Sequence, residues 1–148
     1  MQLQASDVLD IALPAPTTLS SGQAVELPVE SGSVTRTALL FTKSRGVTCV
    51  IAAGNAGTDP DTVGSFPDSG AVVVGGIIRD QPPAPVSFHV GSPSNTGSRV
   101  DCCACAGETT MLPRLAPATV RTVGEADAGT SVATSIVSGV VAAIQGRT

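Results

Sequence analysis

The sequence has almost no aromatic residues: its 148 residues include three phenylalanines but neither tryptophan nor tyrosine. The core must therefore be built from valine, isoleucine, leucine and alanine, which suit strands and helices packed in layers. A basic stripe is also missing, since the net charge is −4 and only 14% of the residues are charged. Proteins that bind nucleic acid carry clustered lysine and arginine, so we expect no nucleic-acid partner.

Long hydrophobic runs are missing too, and no apolar run reaches the length of a membrane-spanning helix, so we expect no membrane partner. The N-terminal stretch MQLQASDVLD lacks the basic start and apolar run of a secretory signal. The cellular location therefore stays open. The apolar content of 42% predicts a folded chain. Without a repeat or a dividing linker, residues 1–148 are expected to form one domain.

Four cysteines are present, and three of them form the cluster Cys102, Cys103 and Cys105. Structural zinc sites use two separated ligand pairs with about two to four residues between partners, a spacing that this cluster does not match. The interpretation we favour is buried thiols in a strand, because the cluster lies in the apolar run VDCCACAG. A disulfide from Cys49 to the cluster stays open, since both lie in predicted core strands.

Apolar runs and breaker residues predict an α/β layered domain. Strands are expected at residues 7–13, 47–55, 70–77 and 98–107, with a loop from Pro14 to Ser31. A helix capped by Ser31 or Ser33 should end at Gly46 and share the face Val34, Ala38 and Phe41. A buried helix should close the chain with Gly139 allowing close packing, and its apolar residues are Val132, Ile136, Val140, Ala143 and Ile144.

Two short motifs carry chemistry. Gly129, Thr130 and Ser131 precede the last helix, where free backbone N–H groups and the helix dipole favour negative charge. The plain interpretation is that Thr130 or Ser131 caps the helix; the functional one is a serine nucleophile. Asn55 ends a buried strand, where its carboxamide can donate to an oxyanion or simply tolerate a tight turn.

Taken in order, four blocks of the chain resemble the C-terminal half of the catalytic domain of the subtilisin-like serine proteases. The blocks are DVLDIAL, SVTRTALLFTKSRGVTCVIAAGNAG, FPDSGAVVVGG with SNTGSRVDCCACAGE, and GTSVATSIVSGVVAAI. The resemblance implies a partial three-layer α/β fold with a mainly parallel sheet, whose first strands and helices are missing. It identifies Ser131 with the nucleophile and Asn55 with the oxyanion donor, and the substrate-binding residues would be Ala52, Ala53, Gly54, Gly129 and Thr130.

The chain departs from the family pattern at several positions. Ser135 stands where the family has a proline, and Pro14 and Pro16 replace a Ser-x-Gly stretch after the first strand. The aspartate and histidine motifs are not found either. Asp68, His89 and Ser131 do run in the family's order of triad residues, but the family places both partners before the oxyanion asparagine. We therefore interpret His89 as a surface loop residue and Asp68 as part of a loop that leads into a strand.

Two functions follow from the resemblance. The first is a serine endopeptidase half with a polypeptide substrate, inactive alone, whose general base comes from a missing N-terminal segment or another chain. The second is a non-catalytic remnant that binds or self-associates through an exposed sheet edge. No cofactor is expected, and we assign no metal site because no cluster of carboxylates marks one.

Overall fold

The computed structural model of the chain describes residues 3–64, 67–80, 87–91, 93–106, 110–111, 121–122 and 129–146. Its elements, in chain order, are β1 (Val8–Ile11), β2 (Ala15–Thr18), β3 (Ala24–Leu27), a 3-10 turn (Val29–Ser31), α1 (Ser33–Ser44), β4 (Thr48–Ala52), α2 (Pro60–Val63), β5 (Val72–Arg79), β6 (Phe88–Val90), β7 (Cys102–Cys105), β8 (Thr110–Met111), β9 (Arg121–Thr122) and α3 (Thr130–Gln145). No helix among these residues is long and apolar enough to cross a membrane.

The main sheet is mostly parallel, as the apolar runs predict. Its strands follow the order β1–β4–β5–β6, and β7 also pairs with β5. Pairing is parallel between β1 and β4, between β4 and β5 and between β5 and β7, whereas β6 is antiparallel to β5. Strand β1 ends this order, so in the described part of the chain one of its edges is open.

Helices cover both faces of the sheet and complete the predicted three layers. On one face, Leu39 of α1 packs in a core cluster with Ile51 and Val73. On the other face, Ala133 of α3 packs in a second cluster with Val50 and Val74. Adjacent residues of β4 thus face opposite layers, as the two-residue period of a strand requires.

The predicted apolar face of α3 is wrong. Its buried side chains are small, namely Thr130, Ala133, Thr134 and Ser138, whereas Ile136, Val140 and Ile144 are exposed. Small residues let the helix backbone approach the sheet, so larger residues are left to the flanks. Gly139 is exposed and an added Cβ there would meet nothing within 4 Å, so it does not provide the predicted close packing.

The close approach lies in the sheet instead, at Gly75 and Gly76 of β5. A Cβ on Gly76 would come within 2.6 Å of the Ala106 Cβ, and one on Gly75 within 3.0 Å of the Cys103 Sγ. These two glycines therefore allow neighbouring chain segments to pack against β5.

The predicted face of α1 is also wrong. Leu39 is the buried residue of this helix, while Val34, Ala38 and Phe41 point outward, with Phe41 67% exposed. Its N-cap residue is Gly32, not Ser31 or Ser33, and no side chain caps it. Its end agrees with prediction, since Gly46 follows at a φ of +80°, which favours glycine.

The segment predicted as loop between Pro14 and Ser31 holds a β-hairpin and the 3-10 turn. Strands β2 and β3 pair antiparallel, with Pro16 opposite Glu26. Proline argued against a strand, but a two-stranded hairpin has outer edges that need no N–H donor at that position. Val25 and Leu27 are buried, so the hairpin is anchored to the domain.

A buried ion-pair network ties the 3-10 turn to the strand ends. Glu30 is 1% exposed, and its Oε1 lies 2.6 Å from Arg99 Nε. Ser69 donates to Glu30 Oε2 from its backbone N–H at 3.1 Å and from its hydroxyl at 2.5 Å. Arg99 also pairs with Asp68 at 3.0 Å and Asp101 at 2.8 Å. Burial lowers the pKa of Arg99, but Glu30 and Asp101 outweigh this and raise it overall.

The four cysteines are free thiols. Cys49 and Cys102 pack into the two different core clusters on opposite faces of the sheet, so the disulfide left open above is not formed between them. Burial raises the pKa of both thiols. Cys103 and Cys105 are exposed, which corrects the prediction of buried thiols for these two. Among the described residues, no three His, Cys, Asp or Glu side chains are grouped to hold a metal.

Candidate functional site

The loop after β4 presents Asn55 at the carboxyl end of the parallel strands, as predicted. Gly54 adopts a φ of +99°, and a Cβ there would lie 2.3 Å from the Glu26 carbonyl oxygen. Only glycine fits such a position without displacing the β3 backbone. The chain therefore turns sharply at Gly54 and carries the Asn55 side chain out of the sheet.

Asn95 fixes this loop, and the sequence analysis did not identify it. Its buried carboxamide donates to the carbonyls of Glu26 and Ala53, each at 2.7 Å, and accepts from the N–H groups of Ala56 and Thr58, each at 3.1 Å. All the ordinary hydrogen-bonding capacity of one amide is used. Asn95 thereby joins β3, the end of β4 and the Asn55 loop. The only sequence signal was an asparagine before Thr96 and Gly97, which is typical of turns.

Helix α3 begins without a side-chain cap of its own, so the plain interpretation that Thr130 or Ser131 caps it does not hold. Its N-cap residue is Gly129, and the Thr130 N–H donates to Asn55 Oδ1 at 3.0 Å. The Thr130 hydroxyl donates to the same oxygen at 3.1 Å and accepts from the Gly54 N–H at 3.3 Å. A residue distant in sequence thus satisfies a helix amide that would otherwise lack a partner.

These contacts bring together the predicted residues Asn55, Gly129, Thr130 and, next along the helix, Ser131. A Cβ on Gly129 would lie 3.0 Å from Asn55 Oδ1, so the glycine permits the close approach of the carboxamide. Because a backbone N–H can only donate, the atom of Asn55 facing Thr130 is the oxygen. The Nδ2 group is therefore left to donate to a different partner.

The Ser131 hydroxyl donates to the Ala12 carbonyl at 2.5 Å, just beyond the end of β1. One turn later, Ser135 donates to Asp10 Oδ2 at 2.9 Å. The serine that replaces the family's proline thus has a partner on β1. Ser131 and Ser135 both face β1, the strand with the open edge.

The predicted pocket residues immediately precede Asn55 along the chain. Ala52, Ala53 and Gly54 are fully or nearly fully buried, and Ala53 receives a hydrogen bond from Asn95. They form the end of β4 and the turn that leads to the site. Their part in binding a substrate residue stays a prediction.

His89 and Asp68 are not brought to this site. His89 lies on strand β6, not in the expected loop, and its Nδ1 is 3.1 Å from Asp80 Oδ1. Asp68 lies in the segment before β5, as expected, and pairs with Arg99. The chain contains one histidine, so the histidine that the subtilisin resemblance implies is not supplied by these described residues.

Glu26 is the second residue that the sequence analysis missed. It lies on β3, is half-buried, and its Oε2 accepts a hydrogen bond from Asn55 Nδ2 at 3.0 Å. A carboxylate therefore faces the amide group predicted to donate to an oxyanion. The signal was hidden because the segment that carries Glu26 was predicted as loop.

The comparisons with known proteins support the fold and leave the family open. No family model matches the chain, and no curated protein matches it with statistical significance. A solved structure that does match is the crystal structure of a cold adapted subtilisin-like serine proteinase, at a TM-score of 0.61 and 21% identity. The match covers 99% of this chain and 44% of that chain, so our chain spans less than half of that proteinase. The chain has a partial α/β subtilisin-like fold.

Proposed function

We propose that this chain is the nucleophile half of a subtilisin-like serine endopeptidase. Ser131 Oγ would attack the carbonyl carbon of a peptide bond, and Asn55 would stabilise the resulting oxyanion. The observation that carries the proposal is the contact between Asn55 Oδ1 and the Thr130 N–H, at 3.0 Å, one residue before Ser131. This contact joins the loop after β4 to the N-terminus of α3, across 75 residues of sequence.

The reaction needs a base that the described residues do not bring to Ser131. When Oγ forms its ester with the acyl carbon, its proton must pass to a base and then to the leaving amine, before water cleaves the ester. The Ser131 proton is held by the Ala12 carbonyl, which is a very weak base. The chain alone should therefore show no peptide hydrolysis at the level of a complete protease.

The open edge of β1 is where we expect the base to be supplied. A groove of 160 Å³ lies between β1 and α1, and its apolar lining includes Leu9, Ile11, Ala38 and Leu39. The exposed Phe41 lies on the same helix. An unpaired strand beside an apolar groove fits a strand and helix from another polypeptide segment. Because Ser131 and Ser135 face β1, such a segment would carry its base to the nucleophile.

Imidazole added as a free base tests the proposal on this chain alone. We expect a fluorophosphonate probe to label Ser131 slowly in buffer and about tenfold faster or more with concentrated imidazole, read by mass spectrometry of peptides. Ser131→Ala should remove the rescued label. Ser135→Ala, which changes a neighbouring exposed serine on the same side of α3, should keep it. Labelling that imidazole does not accelerate, or that survives in Ser131→Ala, would contradict the proposal.

A second candidate function is a non-catalytic module that pairs through the same edge. It is favoured by the contact of Asn55 Nδ2 with the Glu26 carboxylate, which engages the expected oxyanion donor. This candidate predicts self-association of the chain in light scattering, weakened by Phe41→Glu on the exposed side of α1. A sharp monomer peak for the unaltered chain would contradict it.

A further inference from the structure

The orientation of the Asn55 carboxamide leaves its Nδ2 group between the helix terminus and β3. Its oxygen receives two hydrogen bonds from Thr130, and its nitrogen donates to Glu26 Oε2 at 3.0 Å. An amide nitrogen carries two hydrogens, and this contact uses one of them. Glu26 therefore lies beside the group that would meet a developing oxyanion.

The Glu26 carboxylate is held in place by its backbone. Its carbonyl accepts from Asn95 Nδ2 at 2.7 Å, and its neighbours Val25 and Leu27 are buried on the opposite side of β3. The side chain thus projects from a fixed strand toward the site and does not belong to a free surface loop.

Glu26 lacks the partner that a half-buried carboxylate usually has. In the described part of the chain it makes no ion pair, and its side chain contacts one neutral amide. A half-buried carboxylate is stabilised most by a charged donor, because a cation adds Coulomb attraction to the hydrogen bond. The negative charge of Glu26 and its remaining lone pairs are therefore available to a cation.

We propose that Glu26, positioned beside Asn55, is a subsite that binds an ammonium or guanidinium group of a peptide near the α3 terminus. This inference rests on the proposed function only for the role of the subsite in substrate recognition, since binding itself needs no nucleophile. Beside the Asn55 amide, the negative charge of Glu26 would oppose the negative charge of an oxyanion. A bound cation neutralises Glu26, so the subsite would favour peptides that carry lysine or arginine over neutral ones.

Two small probes of matched shape test the subsite. N-acetyl-lysine methylamide carries an ammonium group, and N-acetyl-norleucine methylamide has the same carbon chain without it. Titration of the isotope-labelled chain, followed by NMR at the Asn55 side-chain amide, should show the lysine compound binding at least about tenfold more tightly. Binding should weaken as salt is added, because the contact is between charges.

Three variants give the controls. Glu26→Gln keeps an acceptor for Asn55 but removes the charge, and it should reduce binding of the lysine compound to that of the norleucine compound. Asp10→Asn removes a carboxylate beside Ser135 and should leave binding unchanged, which excludes general attraction to an acidic protein. Ser135→Ala, at an exposed serine of α3 outside the candidate site, should also bind normally. Backbone spectra that match the unaltered chain show that each variant is folded.

The outcomes separate this proposal from the proposed function. Equal binding of the two compounds, retained binding in Glu26→Gln, an equal loss in Asp10→Asn, or binding that leaves the Asn55 amide unshifted would each overturn the subsite. Selective lysine binding without any rescued label on Ser131 would support the subsite and contradict the protease. A rescued label without lysine selectivity would do the reverse.

Discussion

Glu26 and Glu30 lie four residues apart, at the end of the hairpin and in the 3-10 turn after it, and their carboxylates have different surroundings. Glu30 is 1% exposed and is held by Arg99 and by two donors of Ser69. Glu26 is half-buried and its side chain contacts one amide nitrogen of Asn55. One carboxylate is fully compensated, and the other is only partly so.

Burial alone therefore does not distinguish a structural carboxylate such as Glu30 from one that is available to a ligand, such as Glu26. Glu30 joins the 3-10 turn to the segments before β5 and β7, so its partners are parts of the fold. Glu26 contacts a residue of the candidate site and leaves most of its hydrogen-bonding capacity to solvent or a ligand. Stability should therefore depend on Glu30 and its partner, and binding on Glu26.

The largest expected effect comes from Arg99→Met, which leaves Glu30 buried without its cation. Removing one partner of a buried ion pair typically costs about 3–5 kcal/mol in the free energy of unfolding. Arg99 is 12% exposed and contacts three carboxylates, so we expect a loss in this range, measured by urea unfolding at pH 7.

The double variant Glu30→Gln with Arg99→Met is the control for that prediction. It removes the uncompensated charge and should recover part of the lost stability. A cost below about 1 kcal/mol for Arg99→Met alone would mean that the network resembles an exposed ion pair, and the contrast with Glu26 would fail.

Asn95→Ala should have the next largest effect on stability, because it removes the amide that joins β3 to the end of β4 and the Asn55 loop. Four hydrogen bonds are lost: the Glu26 and Ala53 carbonyls lose their donor, and the Ala56 and Thr58 N–H groups lose their acceptor. Each such loss costs about 0.5–1 kcal/mol, so the four together should lower the free energy of unfolding by about 2–4 kcal/mol. Urea unfolding measures this loss. The control is Thr96→Ala, at the exposed neighbour of Asn95.

Thr96→Ala should change stability by less than about 0.5 kcal/mol. If both substitutions have the same small cost, the Asn55 loop is not fixed by Asn95, and the position of Glu26 beside Asn55 loses its main support.

The layered sheet could be predicted from the sequence pattern, whereas the meeting of Asn55 with the α3 terminus was implied by the resemblance to subtilisin-like proteases. Runs apolar on both faces indicate buried parallel strands, and Gly54 before Asn55 marks the sharp turn at a strand end. The exposed faces of the two helices could not be predicted in this way. Hydrophobic periodicity favours large residues as the core face, but α3 packs through Ala133 and Thr134 because small side chains allow closer contact with the sheet.

The site's supporting residues were missed for a related reason. Asn95 and Glu26 act through contacts across 42 and 29 residues, to Ala53 and Asn55, and no local pattern encodes such distances. Proline at position 16 also concealed the hairpin that positions Glu26. Local motifs and the family resemblance singled out Ser131 and Asn55, whereas tertiary structure was needed to find the residues that position them.

The smallest expected effect on stability is that of Glu26→Gln. It tests most directly whether Glu26 and Glu30 have different roles. The substitution keeps the acceptor for Asn55 Nδ2 and removes a charge that has no ion-pair partner in the described residues. The free energy of unfolding should therefore change by less than about 0.5 kcal/mol, while binding of the lysine probe is lost. Glu30→Gln, measured in the same urea series, should cost clearly more, because it leaves the Arg99 charge short of its buried partner. If the two substitutions destabilise the chain equally, Glu26 is part of the fold in the same sense as Glu30, and the separation of a structural from a ligand-binding carboxylate would be wrong.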